Sequence, residues 1–116
     1  MEINLTINGQ HFLADIEDTE TGRAFARLLP LKATMTELNG NEKYVNLNTS
    51  LPTNAHHYDT IASGDLMLFG SSCIVLFYGS AGGYSYTSIG RLRTTEGLTA
   101  AAGRGNAEVT FELKAK

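Results

Sequence analysis

Four of the five tyrosines are the residues whose types and spacing best suit binding chemistry. They lie at the ends of predicted strands or in the loop after an apolar hairpin, at Tyr44, Tyr78, Tyr84 and Tyr86. An aromatic ring with a polar tip suits a groove that binds a peptide or a flat small molecule. Tyr84 and Tyr86 are two residues apart in a predicted strand, so we expect them on the same face. Alternatively, the four tyrosines cover the ends of a predicted barrel, where each O–H meets a backbone carbonyl.

Three charged residues accompany these tyrosines. Glu42 and Lys43 begin a predicted strand, so we expect their side chains on opposite faces. Glu42 could pair with Arg91 across the rim of the barrel. Such a pair is either a ligand clamp or an ordinary surface ion pair that contributes roughly 0–1 kcal/mol. The predicted ligand-binding residues are therefore Tyr44, Tyr78, Tyr84, Tyr86, Glu42 and Arg91.

The sequence predicts neither a metal site nor a catalytic residue. His56, His57, His11 and Cys73 are possible zinc ligands, but their spacing matches no recognisable pattern of three or four converging ligands. Cys73 opens an apolar strand and is expected to be buried and unreactive. Around Ser85, the sequence departs from a nucleophile elbow at the last position of that motif. We therefore predict no cofactor and assign no catalytic residue, and the sequence leaves enzymatic activity uncertain.

Alternating hydrophobic residues predict a mainly β fold that positions these side chains. About eight short strands and two helices in a small domain favour a closed antiparallel barrel with helices over its ends. Asn8-Gly9 is a strong hairpin signal, and the segment Asn48 to Ile61 is expected to be a long loop. Gly90 is expected at a bulge or a close backbone approach, and Gly103 as the left-handed residue that ends the second helix. The predicted strands are 2–7, 10–15, 31–38, 42–47, 66–69, 73–78, 84–93 and 108–113, and the predicted helices are 20–29 and 97–102.

Length and composition exclude several classes of protein. The 116 residues, 42% of them hydrophobic and 18% charged, predict one globular domain over residues 1–116. A net charge of -3 argues against a dedicated nucleic-acid binder. One cysteine excludes an intrachain disulfide framework. We expect no signal peptide, no membrane span and a cytoplasmic protein. Exposed strand edges would allow a homodimer, which the sequence does not decide.

An ordered set of short segments resembles the small bacterial cyclophilin-like family. The segments include Leu29-Pro30-Leu31, Glu42-Lys43-Tyr44 and Leu51-Pro52, and they continue through Ser63 to Leu66, Cys73 to Tyr78 and Tyr84 to Arg91. The resemblance extends from the first strand to Phe111. It implies an eight-stranded antiparallel barrel capped by two helices. Most members of this small family lack an established biochemical activity.

The resemblance does not extend to the catalytic residues of true cyclophilins, which are peptidyl-prolyl isomerases. Their activity depends on a Phe-His-Arg motif, a nearby glutamine and a hydrophobic proline pocket. This sequence has no Phe-His-Arg and no tryptophan, and its one glutamine is Gln10. The missing arginine would favour the twisted amide and so lower a barrier of about 20 kcal/mol. We therefore expect a non-catalytic module that binds a peptide or small ligand; the alternative is a weak, divergent prolyl isomerase.

Overall fold

The computed structural model describes residues 1–114 and contains nine strands and two helices in that range. The elements follow one another along the chain with short connections. Their bounds are β1 Glu2–Ile7, β2 Gln10–Ile16, α1 Glu20–Ala26, β3 Leu31–Leu38, β4 Glu42–Asn46, β5 His56–Tyr58, β6 Asp65–Phe69, β7 Cys73–Phe77, β8 Tyr84–Leu92, α2 Leu98–Ala102 and β9 Ala107–Leu113.

Eight of these strands close into an antiparallel barrel. Neighbouring strands follow the order β2-β1-β9-β3-β4-β7-β6-β8, and β8 pairs with β2 to complete the circle. Closure gives these strands a partner on each side, so the barrel has no open edge within this set. The predicted closed barrel is confirmed, and the order places β4 and β7 side by side although 26 residues separate the end of β4 from the start of β7.

The interior of the barrel is filled by alternate residues of its strands. Ile3, Leu5 and Ile7 of β1 are fully buried, as the alternating pattern of this segment predicts. The two helices add apolar side chains to the same cluster. Phe25 of α1 meets Phe111 of β9 edge-to-face, with ring centroids 5.5 Å apart.

The first hairpin forms where Asn8-Gly9 predicts it. Both residues have positive φ, 48° at Asn8 and 88° at Gly9, as a two-residue turn between twisted strands requires. Asn8 also ties the turn to distant segments. Its side-chain amide donates to the carbonyl of Ala101, and its Oδ1 accepts from the backbone N–H of Glu108.

Helix α1 begins as predicted and ends earlier than predicted. Thr19 is the N-cap, and its hydroxyl accepts from the backbone N–H of Gly22. The regular helix stops at Ala26 instead of Leu29. Leu28 and Leu29 donate to carbonyls three residues back, which tightens the last turn ahead of Pro30.

Helix α2 ends at Gly103, but the predicted left-handed conformation is wrong there. Gly103 has a positive φ of 69° together with an extended ψ of -175°. Its backbone N–H still donates to the carbonyl of Thr99 and so closes the helix. Leu98 and Ala102 turn the apolar side of this short helix toward the interior of the barrel.

The segment from Asn48 to Ile61, predicted to be a loop, contains the short strand β5. This strand is the one that does not belong to the eight-stranded barrel. His56, His57 and Tyr58 pair with Tyr86, Ser85 and Tyr84 of β8. The two histidines are exposed, so this strand has no alternating apolar pattern by which it could have been recognised in the sequence. Ile61, just beyond it, is fully buried and covers part of the outer face of the barrel.

Gly90 stands where β2 and β8 close the barrel. A Cβ on this residue would lie 2.2 Å from the carbonyl oxygen of Asp15, too close for any side chain. The β6–β8 register also shifts between Leu66 and Met67, next to this position. The prediction of a close approach or bulge at Gly90 is confirmed.

Within residues 1–114, no helix is long and apolar enough to cross a membrane.

Candidate functional site: an aromatic cleft on the outer face

The outer face of the barrel carries a cleft of about 390 Å³, a volume at the lower end of the range for small-molecule sites. It spans β4, β7 and the ends of β6 and β8, with the β3–β4 turn at its rim. Most of its lining is apolar or aromatic. The lining residues are Leu38, Asn39, Glu42, Tyr44, Asn46, Phe69, Cys73, Val75, Tyr84 and Tyr86.

Strand alternation places this lining on the face opposite the core. In β4, Glu42, Tyr44 and Asn46 line the cleft, whereas the intervening Lys43 is buried on the other side of the wall. The opposite orientation of Glu42 and Lys43 predicted from the sequence is confirmed. In β7, Cys73 and Val75 pair with Asn46 and Tyr44, so the two strands present a continuous surface.

Tyr86 is the buried part of an aromatic group. It is 6% exposed, and its ring lies 5.6 Å from Phe69 and 5.5 Å from Phe77, centroid to centroid. Tyr84 lines the same cleft, so the shared face of the two tyrosines is confirmed. Tyr84 is 64% exposed and Phe69 49% exposed, so a buried aromatic floor has exposed apolar side chains at its rim. Exposed apolar groups around a concave surface are typical of a binding site.

Glu42 brings a carboxylate into this apolar cleft. Among residues 1–114, no cation lies within 4.0 Å of it, and no hydrogen bond to its side chain is formed. Burial raises the pKa of Glu42 above its ordinary value, and the negative charge of Glu37 raises it further. Its desolvation is therefore not offset by a partner in the described chain.

Cys73 lies in the cleft and is half-buried, which corrects the expectation that it is buried. Burial, followed by the charge of Glu42, raises the pKa of its thiol. The raised pKa keeps the sulfur protonated, which agrees with the expected low reactivity. The same two causes act on Tyr86, whose pKa is raised by burial and by Glu42, so its phenol stays neutral and able to donate a hydrogen bond.

Tyr78 does not line the cleft. It is 8% exposed, and its hydroxyl donates to the Glu37 carboxylate rather than to a backbone carbonyl. Burial and this carboxylate together raise the pKa of Tyr78 to about 12. Lys43 completes the group, because its ammonium lies 2.9 Å from Glu37 Oε1 and 4.9 Å from the centre of the Tyr78 ring.

Arg91 also lies outside the cleft, and its predicted ion pair with Glu42 does not form. Its Nη2 lies 3.3 Å from Asp65 Oδ1, because Asp65 is the residue directly opposite Arg91 in the β6–β8 pairing. Both residues line a separate polar cleft beside β2. Of the six predicted residues, the structure thus brings together Tyr44, Tyr84, Tyr86 and Glu42.

The apolar part of the cleft was missed in the sequence. Three of its residues belong to segments with the pattern of ordinary strands: Leu38, Phe69 and Val75. They meet because β3, β4, β7 and β6 lie side by side in that order in the folded barrel. The one local signal was Phe69, a large aromatic residue at the end of an apolar strand and directly before Gly70.

The possible metal ligands do not converge in the part of the chain that the structure describes. Residues 1–114 contain no group of three or more His, Cys, Asp or Glu side chains arranged to hold a metal ion. His57 Nε2 lies 3.3 Å from Asp59 Oδ1 on the exposed surface, and Cys73 is in the cleft away from that pair.

The closed eight-stranded barrel, with apolar residues of two helices in its core and a cleft on its outer face, defines the cyclophilin-like class of β-barrel. The sequence matches the model of the cyclophilin-like family over residues 5–112, and the chain belongs to this family. A comparison with curated proteins found no match.

Proposed function

We propose that this protein is a non-catalytic binding module that takes a small ligand, or one or two side chains of a peptide, into the outer-face cleft. The observation that carries the proposal is the aromatic lining, in which a buried Tyr86 lies beneath exposed Tyr84 and Phe69. Ligand binding to such a surface is favoured by the burial of apolar area, and the phenol groups orient the ligand through hydrogen bonds.

The charge in the cleft argues against prolyl isomerisation. A cation that hydrogen-bonds the substrate amide would stabilise the twisted transition state. Among the described residues that line the cleft, Glu42 alone is charged, and its carboxylate accepts rather than donates when ionised. Arg91 points into the other cleft and is held by Asp65.

Chemical-shift mapping tests the proposal. We expect members of a library of small aromatic compounds and short aromatic peptides to perturb the amide resonances of Tyr44, Val75 and Tyr84. Removing the exposed Tyr84 ring in Tyr84→Ala should weaken binding severalfold. The matched control is Leu113→Ala, which removes a side chain that is 51% exposed on β9, outside the cleft. A library that leaves all the cleft resonances unchanged would contradict the proposal.

A protease-coupled assay with several Xaa-Pro peptides separates binding from isomerisation. We expect the rate with protein to equal the uncatalysed rate. A rate acceleration that Tyr84→Ala reduces would instead support the weak isomerase.

A further inference from the structure

We propose that the cleft selects a small organic cation, namely a primary amine attached to an aromatic or other apolar body. The inference rests on the proposed function and adds the charge and class of the ligand. It follows from the combination of one unpaired carboxylate, Glu42, with an otherwise apolar and aromatic lining.

Within residues 1–114, the surroundings of Glu42 leave it without a cation of its own. The next residue, Lys43, projects to the opposite face, where its ammonium contacts Glu37 and the carbonyl oxygens of Gly103 and Gly105. Arg91 is held by Asp65 in the neighbouring cleft. A carboxylate that loses water without gaining a partner is unfavourable, and an ammonium ligand would supply the missing partner.

The titratable groups that line the cleft favour the binding of a cationic ligand. Tyr44, Tyr84, Tyr86 and Cys73 line it with Glu42, and the nearby Glu37, whose charge acts on Glu42, is itself paired with Lys43 on the other face of the wall. The phenol rings present electron-rich faces, which attract cations. An anionic ligand would meet the Glu42 charge in a partly desolvated site and is expected to be excluded.

The volume of the cleft favours a small molecule over a long peptide. About 390 Å³ accommodates one compact ligand. Leu38, Val75 and Phe69 provide the apolar contacts for its body, while Glu42 takes its ammonium group. The polarity of the site thus predicts an arylalkylamine rather than a neutral hydrocarbon.

Three compounds of similar size test the inference: phenethylamine, phenethyl alcohol and phenylacetate. Their dissociation constants are measured by shift mapping on the full chain at neutral pH. We expect phenethylamine to bind at least about tenfold more tightly than the alcohol, and phenylacetate to bind most weakly. In Glu42→Gln the amine should lose its preference and bind no more tightly than the alcohol. Glu112→Gln, an exposed glutamate on β9, is the matched control and should keep the preference.

The possible outcomes distinguish this inference from the proposed function. Binding of the alcohol and the amine with equal affinity to the wild-type chain overturns the cation preference and leaves the aromatic cleft as a binding site. A preference that survives in Glu42→Gln also overturns it, because the charge would then be recognised elsewhere. No shift with any of the three compounds overturns the amine ligand, whereas the proposed function fails only when the library of aromatic compounds and peptides also leaves the cleft resonances unchanged. A tripeptide Phe-Lys-Phe amide that binds at least about tenfold more tightly than phenethylamine overturns the small-molecule ligand in favour of a peptide.

Discussion

Glu42 and Lys43 are neighbours in the chain but lie on opposite faces of the barrel wall: Lys43 is fully paired within the fold, whereas Glu42 lies in the outer cleft with no partner among residues 1–114. Lys43 is 1% exposed, and its ammonium has three oxygen partners. One is the carboxylate of Glu37 on the adjacent strand, and the other two are the carbonyls of Gly103 and Gly105, far along the chain. The inner residue therefore stabilises the fold, while the outer residue remains free for a ligand.

The first prediction concerns this buried ammonium. Lys43→Met keeps the length of the side chain but removes the cation beside Glu37, which keeps only the neutral donors Tyr78 and Gly40, and it leaves the carbonyls of Gly103 and Gly105 without the ammonium. Because breaking a buried ion pair leaves an uncompensated charge, we expect the free energy of unfolding to fall by about 3 kcal/mol. Urea denaturation measures the change.

The control for this variant is Lys32→Met, which removes an exposed lysine from the neighbouring strand β3. It should change the free energy of unfolding by less than about 0.5 kcal/mol. Equal stability of the two variants would show that the buried contacts of Lys43 contribute no net stabilisation.

The second prediction tests the closure of the barrel. In Gly90→Ala the new methyl group would collide with the backbone of Asp15 at 2.2 Å, so the β2–β8 pairing must separate. We expect a loss of about 1–3 kcal/mol, as is usual for overpacking. Thermal denaturation against Gly105→Ala provides the comparison, because a Cβ on Gly105 has no heavy atom within 4 Å. If Gly90→Ala is as stable as Gly105→Ala, the close approach of Gly90 to Asp15 does not restrict the side chain at position 90, and the prediction is wrong.

The parts of this fold that the sequence predicts correctly are those decided by neighbouring residues. The alternation in β1, the Asn8-Gly9 turn and the start of α1 at Glu20 each depend on a few consecutive side chains. The same local rule places Glu42 and Lys43 on opposite faces. Nothing beyond the spacing of two residues is needed to predict that Tyr84 and Tyr86 share a surface.

The incorrect and missing predictions involve strands far apart in sequence. Arg91 pairs with Asp65 because β6 and β8 lie in that register, which no local pattern specifies. Strand β5 depends on hydrogen bonds to β8 and has exposed histidines where an apolar pattern would have been recognisable. Phe69 reaches the cleft only because β6 is bonded to β7 and β8. Long-range pairing therefore determines the composition of the site.

The third prediction uses the single cysteine as a reporter of the cleft. Because burial and the Glu42 charge raise the pKa of Cys73, its thiolate is scarce at neutral pH. We expect a disulfide reagent such as dithionitrobenzoate to react more slowly with Cys73 than with free cysteine. Glu42→Gln removes the neighbouring negative charge and should increase the rate roughly two- to fivefold.

The control variant Glu112→Gln should leave this rate unchanged, and labelling in urea should reach one thiol per chain. Measuring the rate against pH separates a change of pKa from a change of access, since only the former moves the midpoint. A midpoint that is the same in Glu42→Gln and the wild-type chain would contradict the electrostatic contribution of Glu42.

The fourth prediction is the pH dependence of amine binding. Only ionised Glu42 attracts an ammonium group, so affinity is full above the pKa of Glu42 and falls as the pH decreases through it. Because burial and Glu37 raise this pKa above the ordinary 4.5, the affinity for phenethylamine should begin to fall at a higher pH than an exposed glutamate would give. The amine stays protonated throughout, and burial together with the Glu42 charge holds the pKa values of Tyr86 and Cys73 above their ordinary values, far from this acidic range. Dissociation constants measured between about pH 4 and 8 should show this fall in the wild-type chain and in Glu112→Gln, whereas Glu42→Gln should give a flat profile. The neutral alcohol should show a much smaller change with pH than the amine, because it carries no charge for Glu42 to attract. A fall that Glu42→Gln retains would mean that another group titrates, and the role assigned to Glu42 would be wrong.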